Sequence, residues 1–348
     1  MPSGLFANQT VTDKNAVIKA FQTLTFEVPK LAFFLPDNQD YSVNTEVIPI
    51  GLDPNFIHKQ NTDFYVIEKK DILSKYKLRN KFSHKGNFGH SLLIGGSFGK
   101  IGAVSLASKA ALKIGSGLVT AYIPKCGYSI LQTAIPEVMV EVNQEKEIEF
   151  FNFKTIPSVI GIGVGMGKSP KTQKGFHQFL KSNKQPLVLD ADALNILSEN
   201  KEWLELLPKE AVLTPHPKEL ERLIGRWKND YEKFDKIRKF TNKYPFVLLV
   251  KGHHTAIVYQ GKIYFNTTGN PALATAGSGD VLTGIITGLL AQQYNVLDAS
   301  ILGVYLHGKT ADIAMQEHTY ETFIASDILN YLPKAFEHLF KQKSNKQK

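Results

Sequence analysis

Residues 91 onward predict an α/β fold with a mostly parallel central sheet and helices on both faces, and three observations carry that prediction. Short apolar runs recur along the chain, separated by stretches with small and apolar residues at helical spacing. The runs are uniformly apolar rather than alternating, as in parallel strands covered on both faces. Each ends in glycine, aspartate or proline, the punctuation of strand-to-helix connections. Ligands of such sheets bind at the carboxyl ends of the strands, so the chemistry belongs in the turns that follow them.

Residues 1 to 75 read differently. TLTFEVPKLAFF and NTEVIPIGLD are short β-rich runs broken by proline and by the turn-like PDNQD, which predicts a small β-rich appendage. Residues 69–90, KKDILSKYKLRNKFSHKGNFGH, turn polar and basic, and a boundary is placed near residue 75. SLLIGGS then reads as a strand ending in glycines, followed by a helix in GAVSLASKAALKIG that Gly115 closes. LVTAYIP is the next strand, and SVIGIGVGMG, PLVLDADALNIL, AVLTPHPKELERLIG and FVLLVKGHH repeat the scheme. Residues 76 to 340 thus read as the main domain, and 341 to 348, KQKSNKQK, as a basic tail expected to be disordered.

The net charge of +9 says little about partners, because four of its lysines sit in that tail. No aromatic-basic interleaving or zinc spacing turns it into a nucleic-acid surface, and a positive field equally suits polyphosphate ligands. No apolar segment approaches the ~18 residues a membrane span needs, and the N-terminus lacks a basic stretch followed by an apolar run. A cytoplasmic protein with no membrane partner is expected. The one cysteine, Cys126, excludes an internal disulfide and has no motif around it that would make it a nucleophile.

The strongest signal is NTTGNPALATAGSGDVLTGIITGLLAQ, residues 266–292. Ala276, Gly277, Ser278 and Gly279 can converge backbone N–H groups at the start of an apolar helix, whose dipole favours an anion, and this makes a phosphate cradle. Asp280 is then out of place unless it takes a proton from a hydroxyl being phosphorylated; the plainer reading makes it a helix cap. Asn270, Pro271 and Thr275 before it, with the small-residue helix after it, favour the catalytic role.

In VLLVKGHHTAIV, Lys251 and Gly252 stand at a strand end with Thr255 beyond, suited to a nucleotide's phosphates or ribose; alone, the pattern is also that of a hairpin turn. His253 and His254, as strand neighbours, would point to opposite faces, which argues against metal there. Asp190, Asp192 and Asn195 stand where a strand gives way to a helix: Asp192 is either an N-cap or, with Asp190 or Asn195, a magnesium ligand through water. His216, pinned between two prolines after a strand, is a candidate ligand contact, and Glu219 favours the helix start. GGSFGKIGA is not a P-loop, since Lys100 lacks a following Ser or Thr. GIGVGMG is not a dinucleotide fingerprint, since Met166 replaces its third glycine, although its glycines still permit close ligand approach.

Taken in order, GNFGHSLLIGGSFGKIGAVSLASKAALKIGSGLVT, the glycine run 161–167, DADALN, TPHPKEL, KGHHT and GNPALATAGSGDVLTGIITGLLAQ resemble the NAD(P)H-hydrate dehydratase family over roughly residues 80–335. The resemblance implies a ribokinase-like fold and dehydration of the S epimer of hydrated NADH or NADPH, driven by ADP or ATP with Mg²⁺. It implies Lys251, Gly252, His253, His254, Thr255, Gly277, Ser278 and Gly279 as the nucleotide site. Ala103, Gly165, Gly167, His216 and Asp280 are implied for the hydrated cofactor, and a homotetramer or larger assembly for the whole. PSGLFA, TLTFEVPKLAFF and PIGLD look like the closing strands of an NAD(P)H-hydrate epimerase domain. Most of that domain's sheet would lie upstream of Met1, so epimerase activity is not expected and Ser3 should be an orphaned cation ligand. Two rivals remain: a kinase of a hydroxymethylpyrimidine or thiazole alcohol, which shares GSGD, and a non-catalytic nucleotide-binding protein.

Overall fold

The computed structural model describes residues 1–11, 13–42 and 44–340, and the expected tail at 341–348 lies outside the described residues. In the appendage, β1 (Thr23–Phe26) and β2 (Thr45–Ile48) pair in parallel as a two-stranded ribbon within the two runs expected to be β-rich. PDNQD, expected as a turn, winds instead with Tyr41 into a 3₁₀ helix, Pro36–Tyr41, because Pro36 at the first position presets its φ. This stretch docks on the main body. Asp37 and Asp230 each accept the other's backbone N–H, at 2.6 and 2.7 Å, Lys233 neutralises Asp230, and Leu35 joins the main core. After α1 (Pro54–His58) comes β3 (Phe64–Val66), which lies upstream of residue 75 and yet belongs to the main sheet.

α2 (Lys69–Lys75) leads to β4 (His90–Ile94), α3 (Ile101–Ile114), β5 (Leu118–Ile123), α4 (Tyr128–Ala134) and β6 (Met139–Val142). Then come β7 (Val159–Ile162), α5 (Pro170–Ser182), β8 (Leu187–Leu189), α6 (Ala191–Glu199), β9 (Ala211–Leu213), α7 (Pro217–Ile224) and α8 (Asp230–Lys243). β10 (Val247–Val250), β11 (Ala256–Tyr259) and β12 (Lys262–Phe265) precede the closing helices α9 (Ser278–Ala291), α10 (Val296–Ala314) and α11 (Ala325–Phe340).

The ten-stranded sheet runs β3-β12-β11-β10-β9-β8-β7-β4-β5-β6. Only β11 is antiparallel to its neighbours, so the carboxyl ends of β4, β7, β8, β9 and β10 open on one edge. β4, β7, β8, β9 and β10 are buried along nearly their whole length, as their uniformly apolar sequences require. One face is covered by α2, α3, α9, α10 and α11, the other by α5 to α8. α9 lies unusually close to α3: a Cβ at Gly284 would stand 2.0 Å from the Ala107 carbonyl oxygen, so only glycine permits the approach. No helix among the described residues is long and apolar enough to cross a membrane.

Candidate active site

The site is assembled by the turns after four neighbouring strands and by the start of α9. The backbone stitches these turns together. The Gly163 N–H donates to Ile94 O, Asp190 N–H to Ile162 O, Thr214 N–H to Leu189 O and Lys251 N–H to Pro215 O, all at 3.1 Å. Gly163 is held at φ 117°, where a Cβ would stand 2.0 Å from the Asp190 carbonyl oxygen; this glycine lets the turns after β7 and β8 touch.

Asp190 is the buried hub. One carboxylate oxygen accepts the Lys251 ammonium at 2.8 Å and the Ala191 N–H at 2.9 Å; the other accepts the Thr283 hydroxyl at 2.8 Å. The cap of α6 is thus Asp190 rather than Asp192, because the extended backbone of Asp190 (φ −136°, ψ 167°) aims its carboxylate at the helix start. Asp192, one position into the helix, accepts the Gly167 N–H at 2.9 Å and ties down the glycine run. Asn195 sits a turn further on, its side-chain oxygen taken by Arg222 at 2.5 Å.

The helix-cap alternative for Asp280 fails. Gly277, at φ 88°, is the N-cap of α9, and Asp280 occupies the first turn. Ser278 N–H reaches back to Thr275 O and Val281 N–H to Gly277 O, while the N–H groups of Gly279 and Asp280 have no backbone acceptor among the described residues. Two free N–H groups at the positive end of a helix are what a phosphate needs. A Cβ on Gly279 would stand 3.3 Å from the Lys251 ammonium and 3.5 Å from an Asp190 oxygen, so the cradle opens directly onto that ion pair. Burial, then the Asp190 charge, push the Asp280 carboxyl up to about 6, with Lys251 opposing. Lys251 already neutralises Asp190, which leaves Asp280 the uncompensated carboxylate of the pair.

His216 caps α7. Its Nδ1 accepts the Lys218 and Glu219 N–H groups at 3.1 and 3.4 Å, and Glu219 accepts the His216 N–H at 2.9 Å. An Nδ1 that accepts must be unprotonated, and burial with the Lys251 charge lowers the pKa accordingly. The neutral ring keeps an Nε2–H to donate, 3.3 Å from Glu219. Gly165 lies against α3: its Cβ would stand 3.2 Å from the Cβ of Ala103, which brings that expected pair together at the rim. Gly167 has open space beside it.

Gly252, His253, His254 and Thr255 lie on the far side of Lys251, in the turn joining β10 to β11. His253 and His254 do not point to opposite faces; being in a turn rather than a strand, their rings meet at 4.5 Å. His254 is fixed by the Asn266 carbonyl at 3.2 Å and by the Phe34 ring at 5.0 Å, and burial lowers its pKa. A cleft of about 1810 Å³ separates this turn from the appendage; Lys251 lines it, whereas Asp192, His216 and Asp280 do not. Sequence reasoning missed Thr283, Arg222 and Phe34. Thr283 alone carried a signal, one helical turn beyond Asp280. Cys126 is half-buried, and burial with Glu145 raises its pKa, the reverse of an activated thiol.

No three His, Cys, Asp or Glu side chains among the described residues are arranged to hold a metal ion. Asp190 and Asn195 are committed to other partners, so Asp192 and Asp280 are the carboxylates with capacity left. One or two carboxylates completed by phosphate oxygens and water is the donor set Mg²⁺ takes.

A doubly covered, mostly parallel sheet with a glycine-rich helix start, a lysine and a carboxylate at its open edge defines a ribokinase-like protein. A ribokinase-like superfamily protein from Enterococcus faecalis superposes with a TM-score of 0.69 at 26% identity, over 80% of this chain and 98% of its own. An ADP/ATP-dependent NAD(P)H-hydrate dehydratase from Bacillus subtilis, crystallised with ATP and Mg²⁺, gives 0.65 at 26% identity, over 78% and 97%. The family model described as NAD(P)H-hydrate dehydratase matches residues 91–334, and the chain belongs to that family. A bifunctional NAD(P)H-hydrate repair enzyme of Moorella thermoacetica is 35% identical over 97% of this chain and 66% of its own length. The chain therefore spans about two thirds of that longer relative.

Proposed function

We propose that the protein dehydrates the S epimer of hydrated NADH or NADPH at the expense of ADP or ATP, releasing phosphate. The observation that carries this is Asp280, a carboxyl with a pKa of about 6 in the first turn of α9, beside free N–H groups and the Lys251–Asp190 pair. A base poised near neutrality suits removal of a hydroxyl proton. The hydroxyl oxygen takes the terminal phosphoryl group of the nucleotide, whose charge the Gly279 and Asp280 N–H groups meet. Phosphate then leaves with that oxygen, expelled by the ring-nitrogen lone pair, and loss of the adjacent ring proton restores the double bond.

Lys251 and the turn at 252–255 form the nucleotide side, with Ala103, Gly165, Gly167 and His216 on the side of the hydrated cofactor. Mg²⁺ would be held by the nucleotide's phosphates with Asp192 through water, and would neutralise phosphoryl charge. The segment before β3 acts as a structural appendage, docked through Asp37 and Asp230. A cytoplasmic homotetramer or larger assembly is the working form; the single cysteine fits a reducing compartment.

Incubation with hydrated NADPH and either ADP or ATP, followed by absorbance, tests the reading. A nucleotide-dependent return of NADPH with phosphate release is expected. A stable phosphorylated product of a vitamin alcohol would favour the kinase, and nucleotide binding without any turnover the non-catalytic reading.

A further inference from the structure

α10 grips both ends of the segment that forms the cradle. The Tyr305 carbonyl accepts the Thr268 hydroxyl at 2.8 Å. Two helical turns on, Asp312 accepts the Gly269 N–H at 3.1 Å and the Asn270 side-chain amide at 3.3 Å. Gly308 lies directly beneath: a Cβ there would come within 2.4 Å of the Thr268 hydroxyl and 2.6 Å of its carbonyl. At the other end, His307 Nε2 stands 3.0 Å from the Ser278 carbonyl oxygen and 3.3 Å from the Ser278 hydroxyl.

The Ser278 carbonyl and the Gly279 N–H belong to a single peptide unit. That unit is planar and trans, so its C=O and N–H point in opposite directions, and anchoring the carbonyl sets where the N–H aims. A hydrogen bond accepted by the carbonyl also polarises the unit and strengthens its N–H as a donor. We propose that His307 is a positioning residue of the phosphoryl cradle, donating Nε2–H to the Ser278 carbonyl and thereby aiming and strengthening the Gly279 N–H. The inference rests on α9's start being the phosphoryl site. His307 is fully buried, and burial lowers its pKa to about 4, with Lys251 adding to the effect. The ring therefore stays neutral, with one N–H, at any working pH.

The test compares His307→Gln, which keeps a donor, His307→Leu, which fills the space without one, and His307→Asn, polar but too short to reach the carbonyl. Wild-type turnover of hydrated NADPH is measured first and decides the dehydratase reading by itself. ADP affinity, measured by calorimetry on the full chain, decides the role of His307 even if that reading fails. We expect His307→Leu and His307→Asn to weaken ADP binding about tenfold and to lower kcat by about 10²-fold, the usual effect of one displaced oxyanion donor. The KM for the hydrated cofactor should stay within about twofold, and His307→Gln should recover most of both losses. Should His307→Leu not fold, His307→Asn against His307→Gln is judged by the same criterion. Near wild-type ADP affinity in a folded variant without a donor, or a His307→Gln variant no better than these, overturns the assignment.

Discussion

Replacing Asp280 by asparagine removes the proposed base and should also make the folded protein more stable, in a way that depends on pH. In the unfolded chain an aspartate titrates near 4, and in the fold Asp280 is pushed up to about 6, first by burial and then by Asp190. The folded state binds this proton more tightly. Its contribution to stability is therefore complete below about pH 4 and is lost as pH rises through 6. Moving a carboxyl from near 4 to about 6 makes the loss about 3 kcal/mol at pH 8. Asparagine has nearly the same shape and no charge, so Asp280→Asn should be more stable than wild type at pH 8 by up to that amount, and equal to it near pH 4. An unfolding entropy of about 2 cal/mol/K per residue converts 3 kcal/mol into roughly 4 °C for a chain of this length.

Melting temperatures of both proteins between pH 4.5 and 8 measure the difference, and turnover on the same samples shows the loss of function that accompanies it. Equal melting temperatures at pH 8 would mean that Asp280 is not held in an unfavourable charged state. A gain of the same size at pH 4.5 and pH 8 would show that packing rather than ionisation is responsible.

Asp280→Ala should lower kcat by at least ~10², the scale of a lost general base. In wild type, kcat/KM should rise with pH through about 6, and the kcat midpoint should lie higher, since bound phosphate adds negative charge beside the carboxyl. Thr283→Val withdraws a hydroxyl from the buried Asp190 charge and should cost about 1.5–3 kcal/mol in denaturant titration. Lys251→Met leaves that carboxylate unpaired and should cost about 3–5 kcal/mol, with ADP binding by calorimetry weakened as well. Gly284→Val should destabilise by more than the 1–3 kcal/mol of ordinary overpacking, since its Cβ meets a backbone carbonyl that cannot move aside; chemical denaturation reads this directly.

The sheet was legible because its evidence is local. VIGI, LVL, AVL and VLLV are apolar on both sides, and each is followed by the residue that turns the chain. The glycine-rich helix start at 277–280 was legible for the same reason. Asp190 and Asp192 could not be told apart, because both stand near a helix start and only the backbone angles show whose carboxylate reaches it. The two histidines were misplaced because the strand before them stops at Val250. β3 escaped notice in FYV, three residues whose partner, β12, lies about 200 positions away. Thr283 bonds a residue 93 positions upstream, and Phe34 packs on a ring 220 positions downstream. Contacts of that kind leave no periodicity to read.

The charges at the site explain one another. An ion pair buried as deeply as Lys251 and Asp190 contributes little net stability, because desolvation offsets the attraction. Its effect on neighbours is larger. By holding Lys251 against itself, Asp190 keeps a cation next to the cradle while presenting a negative charge to Asp280, which adds to the larger effect of burial in raising that carboxyl toward neutrality. If phosphate oxygens draw Lys251 away from Asp190, the Asp190 charge is left less compensated and Asp280 becomes a stronger base. Nucleotide binding and base strength would then be coupled through one hydrogen bond. Lys251→Arg, which keeps the charge but prefers to hold Asp190 in a fork, should loosen that coupling. In that variant the gap between the midpoints of kcat and kcat/KM should shrink relative to wild type. An unchanged gap would place the coupling elsewhere.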